Sequence, residues 1–180
     1  TYQWHFGDGT TTSTPQPSYQ YNQAGVFLVK LIATTQVGCK DSISQAVTVH
    51  PKPTVTYTVN NNRQCRTNNF FQFTNLSTIS SGTLTHAWSF GDGVTSGVFS
   101  PSHSYPNPGS YPVKLIETSD KGCMDSLTLP MVVDPSPTAL FSVNQTTACF
   151  QGHRFTFTNQ SSVSAGNLQY FWDFGDGVGS

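Results

Sequence analysis

Apolar and polar residues alternate in short runs along this chain. Val55, Tyr57 and Val59 share one face of a predicted first strand, and Phe71 and Phe73 share one face of a second. Alternation over roughly four to eight residues is typical of half-buried β-strands. No long window shows the apolar period of about 3.6 residues that marks an amphipathic helix. The pattern therefore predicts an all-β protein.

Further runs follow, with turn signals between them. A third strand carries Trp88 and Phe90 and ends at a Gly-Asp-Gly turn, and Val98–Phe99 is a weaker candidate strand. A turn at 120–122 separates the longest strand from the last one, and their inward residues are Tyr111, Val113, Leu115, Leu127, Leu129 and Met131. About six or seven short strands in this arrangement predict an immunoglobulin-like β-sandwich.

The chain repeats itself with a period of 84 residues. Trp4, Trp88 and Trp172 are equally spaced, and each is followed, after one residue, by Phe-Gly-Asp-Gly. Without gaps, residues 1–50 match 85–134 at 21 of 50 positions, and residues 51–96 match 135–180 at 21 of 46. A unit of this length fits one small sandwich domain better than one turn of a solenoid.

The repeat predicts three domains, of which one is complete. Residues 51–134 form a complete unit, here called the central repeat. Residues 1–50 are the C-terminal part of a preceding unit (the leading partial repeat), and residues 135–180 are the N-terminal part of a following unit (the trailing partial repeat). Short Pro-containing segments lie at both junctions and are expected to act as stiff linkers. We expect the sequence to be an excerpt of a longer periodic array.

Composition excludes several classes of function. Only 9% of the residues are charged, and the formal net charge is −1. The eight basic residues are scattered, so no electrostatic footprint for nucleic acid or for an acidic membrane surface exists. No run approaches the roughly 18 apolar residues of a membrane-spanning helix. We therefore expect neither a nucleic-acid partner nor membrane insertion.

The motifs of the central repeat resemble the PKD (polycystic kidney disease-type) domain. Trp-x-Phe-Gly-Asp-Gly is followed by Pro-x-His-x-Tyr, which contains His103 and Tyr105, and then by Gly-x-Tyr-x-Val-x-Leu at 109–115. The leading partial repeat departs from the family pattern at Tyr19, where the family has His, and at Phe27, where it has Tyr. The resemblance implies tandem immunoglobulin-like sandwiches that act as spacers or as adhesive or carbohydrate-contacting modules.

A second motif, near the end of each repeat, resembles one particular group of PKD domains. Gly-Cys-x-Asp-Ser, at 38–42 and 122–126, is similar to the PKD variety found in large bacterial surface proteins exported by the type IX system. The resemblance implies an extracellular location on a bacterial surface or in a secreted filament.

The motif residues are predicted to be structural. Gly and Asp suit the tight reversal after a strand, and Tyr105 is expected to form a tyrosine corner. The residues assigned to this motif are Trp4, Trp88, Trp172, Asp8, Asp92, Asp176, His103, Tyr21 and Tyr105.

Calcium binding and catalysis are the competing interpretations of these residues. Some PKD domains bind calcium through Asp in the loop before the Trp strand, but the loop at 77–83 contains no carboxylate, whereas calcium prefers charged oxygen ligands. Glycoside hydrolysis needs paired carboxylates, and Glu117 is the only Glu. We expect no enzyme activity, no metal and no cofactor.

Cys39, Cys65, Cys123 and Cys149 predict disulfides, because no Cys-x-x-Cys pairing points to zinc. Cys65 would lie between the first two strands at one pole of the sandwich, and Cys123 in the last hairpin at the other. Strands of about seven residues separate the poles by over roughly 20 Å, but a disulfide needs Cα atoms within about 7 Å. The favoured pairing joins Cys65 to the counterpart of Cys123 in the following repeat. An intradomain Cys65–Cys123 bond stays open as the alternative.

Two serines are candidate modification sites. Ser42 and Ser126 each follow Asp and precede an aliphatic residue, a pattern similar to the O-glycan acceptor of bacteria that use type IX export. The alternative is an Asp-Ser pair that begins a strand.

Together these observations predict a non-catalytic structural segment of an extracellular bacterial stalk, adhesin or filament. Its expected partners are neighbouring repeats of the same chain, with lateral self-association as a further option. One alternative is a module that binds polysaccharide or a cell-surface ligand, and another is an accessory domain of a secreted hydrolase. Exposed aromatic residues would carry sugar binding, and the candidates are Tyr2, Tyr19, Tyr21, Phe99 and Tyr170.

Overall fold

The computed structural model describes residues 1–177, and this range contains β-strands and no helix. It follows that no helix in the described range could span a membrane. The all-β prediction is confirmed, as is the arrangement of one complete immunoglobulin-like sandwich between two partial ones. Residues 178–180, which end the trailing partial repeat, lie outside the described residues.

The leading partial repeat forms one antiparallel sheet in the strand order β2-β1-β3-β4. Most inward positions of β3 are apolar, and β3 pairs with β4 in a long antiparallel hairpin. The strands are β1 (Tyr2–His5), β2 (Thr11–Thr12), β3 (Gly25–Thr34) and β4 (Lys40–Val49).

The central repeat contains two sheets. One has the order β10-β7-β5, and the other has the order β6-β12-β11-β8-β9. The strands are β5 (Tyr57–Val59), β6 (Arg63–Cys65), β7 (Phe71–Asn75), β8 (Leu84–Ser89), β9 (Thr95–Ser96), β10 (Ser102–His103), β11 (Gly109–Ser119) and β12 (Met124–Asp134).

The hydrophobic core of the central repeat lies between these two sheets. The ring of Trp88 on β8 packs against Tyr57 and Phe73 of the other sheet, with ring centroids 4.9 Å and 5.4 Å away. Aromatic pairs at such distances add to the hydrophobic stabilisation of burial. The buried members of the core are Tyr57, Phe71, Phe73, Trp88, Phe90, Tyr105, Val113, Leu115, Met131 and Val133.

The trailing partial repeat contains β13 (Phe141–Val143) and β14 (Phe157–Asn159), which pair with each other. Its aromatic residues are more exposed than their equivalents in the central repeat: Phe73 is 0% exposed, whereas Phe157 is 39% exposed. Trp4 and Trp172 are likewise half-buried, although Trp88 is 1% exposed. Full burial of the motif Trp therefore needs both halves of a repeat, whereas Phe6 is buried in the leading partial repeat as well.

Strand β6 was missed by the sequence pattern. It runs parallel to the end of β12, with Cys65 opposite Asp134, and its residues are mostly exposed. The Arg63 guanidinium holds it there through two hydrogen bonds to the Asp134 carboxylate, at 2.6 Å and 2.9 Å. This three-residue strand is fixed by backbone pairing and by one bidentate ion pair. Its side chains show no apolar alternation, so the sequence pattern does not predict it.

The weaker strand prediction at Val98–Phe99 was wrong in position. The strand in this region is β9, at Thr95–Ser96, and both predicted residues are more than half exposed. The N–H of Val98 donates to Ser96 Oγ at 3.2 Å. This side-chain hydrogen bond takes the place of a hydrogen bond to a neighbouring strand and favours a local turn, so the strand ends there.

Candidate functional site

The Asp of the Phe-Gly-Asp-Gly motif fixes the turn after the Trp strand. Asp92 Oδ1 accepts the N–H of Val94 at 3.0 Å, and His103 Nε2–H donates to Asp92 Oδ2 at 2.7 Å. Burial alone would raise the pKa of Asp92, but the hydrogen bonds from His103 and Val94 outweigh it and lower the pKa below its usual value. The imidazole also stacks on Phe90 at 4.3 Å. His103 and Asp92 thus hold one turn and one strand together.

The leading partial repeat performs the same task with a different side chain. Tyr19 stands where the central repeat has His103, and its hydroxyl donates to Asp8 Oδ2 at 2.6 Å. This hydrogen bond is the main reason that the pKa of Asp8 is lowered. The Tyr19 ring stacks on Phe6 at 3.9 Å. Either a phenol or an imidazole therefore fills this position, as a flat ring that stacks on the motif Phe and donates to the turn Asp.

The side chain of Tyr105 bonds to the backbone upstream, as a tyrosine corner does, but across 15 residues. Its buried hydroxyl donates to the carbonyl of Phe90 at 2.7 Å, and burial raises its pKa. Tyr21 makes the same bond to the carbonyl of Phe6 at 2.8 Å. The Tyr105 ring also stacks on Tyr111 at 3.8 Å. The corner ties the turn of the motif to the start of the long hairpin.

The first Gly of the motif is required by a close backbone contact. Gly91 has φ +83°, and a Cβ built there would lie 2.9 Å from the backbone nitrogen of Pro112. Gly93 also has positive φ, at +95°, but a Cβ there would meet nothing within 4 Å. Conformation explains both glycines, and close packing against β11 explains the first.

A buried polar cluster in the central repeat was not predicted. The Glu117 side chain is 0% exposed; its Oε1 accepts Asn75 Nδ2–H at 2.6 Å, and its Oε2 lies 2.9 Å from His86 Nδ1. The signal was available, since Glu117 continues the inward alternation of Val113 and Leu115 on β11. The pairing with His86 on β8 could not be derived from the sequence.

The described residues offer little chemistry for catalysis or metal binding. In the range 1–177, no group of three or more His, Cys, Asp or Glu side chains is placed to hold a metal ion. Within the same range, the side-chain hydrogen bonds of His86 and His103 run to carboxylates, and neither ring has a hydroxyl or thiol as a hydrogen-bond partner. These pairs tie strands together rather than activate a nucleophile.

Cys65 and Cys123 lie at opposite ends of the central repeat. Cys65 is opposite Asp134, at the end of β12, whereas Cys123 directly precedes β12, and its Sγ is 4.0 Å from the carbonyl oxygen of His50. The 11 residues of β12 span roughly 36 Å at about 3.3 Å each, so these two thiols cannot bond to each other. Cys39 and Cys149 are exposed, and all four cysteines of the described range are free.

The two candidate O-glycosylation serines are exposed and have matching geometry. Ser42 lies on β4 and Ser126 on β12. The N–H of each donates to the carboxylate of the preceding residue, at 2.8 Å for Asp41 and 2.9 Å for Asp125. Both side chains are exposed, so their hydroxyls are accessible to a modifying enzyme.

The candidate sugar-binding aromatics do not form one surface. They belong to three different repeats, and Tyr19 and Tyr21 already stack on Phe6 and Phe27, at 3.9 Å and 4.1 Å. Phe99 is 52% exposed and meets the ring of His86 edge-on at 5.0 Å. Tyr2 and Tyr170 are 48% and 59% exposed, in the leading and trailing partial repeats.

Comparison with known proteins gives two matches to one domain family. The model of the PKD domain matches residues 1–51 and residues 50–133. Among solved structures, the PKD1 domain of Vibrio anguillarum Epp is 28% identical over 49% of this chain and 100% of that domain, with a TM-score of 0.43. The PKD1 domain of the Vibrio cholerae metalloprotease PrtV is 30% identical over 48% of this chain and 99% of that domain, with a TM-score of 0.41.

Proposed function

Because the chain belongs to the PKD domain family, we propose that it is a non-catalytic structural segment of an extracellular bacterial surface protein, built as a linear array of repeats. PKD domains are generally non-catalytic modules of bacterial proteins such as proteases. The repeat of 84 residues without gaps supports an array over a single accessory module. The proposed role is mechanical: to hold another part of the protein away from the cell, or to form a fibre.

One observation carries the proposal: the chain enters and leaves the central repeat at opposite ends. At the entry, Lys52 Nζ is 3.0 Å from Asp125, near the start of β12. At the exit, Asp134 ends the same strand. Repeats joined in this way extend along one axis, because each new domain begins where the strand of the previous one ends.

The junctions favour an axis that resists bending. Pro51 and Pro53 flank Lys52, and Pro135 and Pro137 occupy the equivalent positions after the central repeat. Pro restricts φ and lacks a backbone donor, so such segments behave as short semi-rigid spacers. Pro53 is also fully buried. The first linker is therefore packed onto the central repeat that follows it.

Small-angle X-ray scattering tests the mechanical role. Arrays lengthened by one and by two copies of residues 51–134 should gain about 40 Å in maximum dimension per copy, from a strand of 11 residues and a short linker. Thiols are kept reduced throughout, so the result is independent of any disulfide. Gains well below this value, with a broad distribution of sizes, would indicate freely jointed modules and contradict the proposal.

Labelling of intact cells tests the proposed location. An antibody against the central repeat should label the producing bacterium without permeabilisation, and added protease should remove the label. The Gly-Cys-x-Asp-Ser ends of the repeats support export by the type IX system, so a strain without that translocon should lose surface label. Label that needs permeabilised wild-type cells would reject the extracellular assignment.

Binding of a polysaccharide is the second candidate function. Val94, Val98 and Phe99 are 47%, 59% and 52% exposed on one edge of the complete repeat, and exposed aromatic rings stack on sugars. Affinity electrophoresis in gels that contain soluble polysaccharides would detect retardation, and Phe99→Ala should abolish it. Equal retardation of Phe99→Ala and the unaltered chain would remove this edge as the site.

A further inference from the structure

Two contacts at the junctions involve the same position of the repeat. At the exit of the central repeat, Cys65 lies opposite Asp134, and the N–H of Arg66 donates to the Asp134 carbonyl at 2.7 Å. At the entry, Cys123 Sγ lies 4.0 Å from the carbonyl of His50. His50 and Asp134 are one period of 84 residues apart. The exit of one repeat is thus the entry of the next.

The second linker position gives an independent observation of the same kind. Thr67, two residues after Cys65, contacts Ser136 Oγ with its own Oγ1 at 2.7 Å and donates its N–H to the same atom at 3.0 Å. Lys52, one period before Ser136, contacts Asp125, two residues after Cys123, at 3.0 Å. The Cys65 loop therefore approaches the linker from the preceding domain, and the Cys123 hairpin approaches it from the following domain.

We propose that Cys65 of each repeat forms a disulfide with the residue equivalent to Cys123 in the next repeat, giving one covalent bond across every junction. The proposal rests on the proposed function, because it requires the array to continue in register. The backbone N–H of Arg66, next to Cys65, and the Sγ of Cys123 each contact the equivalent carbonyl oxygen, at 2.7 Å and 4.0 Å. In a continuous array the segment that carries Cys65 and the hairpin that carries the equivalent of Cys123 therefore meet at one point of the junction, as a disulfide between them requires.

The same register applies to all four cysteines. Cys39 and Cys149 are equivalent to Cys123 and Cys65, so Cys39 would pair with a Cys65 equivalent in the repeat before its own, and Cys149 with a Cys123 equivalent in the repeat after its own. In the oxidation, the two thiols give up two protons and two electrons to a disulfide oxidant such as oxidised glutathione. The oxidant leaves as two thiols, and one S–S bond forms between domains.

Completing a neighbouring repeat provides the test. The chain is extended at its C-terminus with a copy of residues 97–134, which continues the register because residue 180 is equivalent to residue 96. After oxidation by a glutathione buffer, unreduced peptide mapping should find Cys65 linked to the appended copy of Cys123, with an intact mass lower by two hydrogens. Cys65→Ser should abolish this link, and Cys149→Ser should leave it unchanged.

A second extended chain tests the other thiol. A copy of residues 51–84 added before residue 1 completes the leading repeat, and its copy of Cys65 should bond to Cys123; here Cys123→Ser is the abolishing variant and Cys39→Ser the control. Folding of both chains is checked by tryptophan fluorescence. If Cys65 and Cys123 stay free, or pair elsewhere, in a folded extended chain, the proposal is wrong. Scattering under reducing conditions then reports separately whether the linear array itself survives.

Discussion

The hydroxyl of Tyr105 should be a major determinant of the stability of the central repeat. It is buried and donates to the carbonyl of Phe90 at 2.7 Å. Tyr105→Phe keeps the ring and its stack on Tyr111, but leaves that buried carbonyl without its donor. Losing the bond removes about 1 kcal/mol, and the unpaired carbonyl adds a desolvation penalty of about 1–2 kcal/mol. We expect the free energy of unfolding to fall by about 2–3 kcal/mol.

Tyr111→Phe is the matched control. Its hydroxyl donates at 2.8 Å to the carbonyl of Asn107, which is exposed, and water can replace this donor. We expect a loss of about 0.5 kcal/mol or less. The two variants remove the same atom from two rings that stack on each other, so their difference isolates burial of the hydrogen bond.

Urea denaturation followed by tryptophan fluorescence provides the measurement. In a background with Trp4→Phe and Trp172→Phe, Trp88 reports on the central repeat alone. With an m-value of about 1–2 kcal/mol/M, Tyr105→Phe should lower the midpoint by about 1–3 M. If Tyr105→Phe is no more destabilising than Tyr111→Phe, the buried hydrogen bond from Tyr105 to Phe90 does not stabilise the central repeat.

Three further variants probe the motif and the buried cluster. In urea denaturation, Gly91→Ala should lower the free energy of unfolding by about 2 kcal/mol or more, because its Cβ would meet the Pro112 backbone. Gly93→Ala should lower it by only about 1 kcal/mol, the cost of positive φ alone. Equal losses would refute the close contact. Asn75→Ala removes the donor at 2.6 Å from buried Glu117 and should lower the free energy of unfolding by about 2–3 kcal/mol. Asn60→Ala, at an exposed position, should lower it by about 1 kcal/mol. No loss of stability in Asn75→Ala would mean that water enters the cluster. The pKa of Asp92 is lowered in the folded state from 3.8. Its stabilising contribution is therefore present above that value and is lost as pH falls through the folded pKa. The stability difference between wild type and Asp92→Asn should shrink as pH falls below 3.8, and a difference that is constant with pH would exclude a role for the charge.

Periodicity made most of the fold predictable. Val113 and Leu115 alternate on a strand long enough to identify, and both are fully buried. The repeat of Trp and of Phe-Gly-Asp-Gly defines the register of the domains independently of the strand pattern. The position of Cys65 and Cys123 at opposite poles followed from topology, because strand length alone keeps the poles of a sandwich apart.

The features that were missed depend on contacts between distant residues. Strand β6 is fixed by Arg63 and Asp134, which are 71 residues apart, and its own side chains carry no apolar pattern. The Glu117–His86 pair likewise depends on the register between β11 and β8. In the leading partial repeat, Tyr19 stands where the central repeat has His103, and the sequence shows this as a departure from the family pattern. That both side chains bond to the turn Asp is seen only in the structure.

Electron microscopy of the intact native protein, under reducing conditions, tests the central claim most directly. A linear array of PKD repeats predicts rods with an axial period of about 40 Å, set by a strand of 11 residues and a short linker. Compact particles without an axial period, or beads whose spacing varies from particle to particle, would contradict the account.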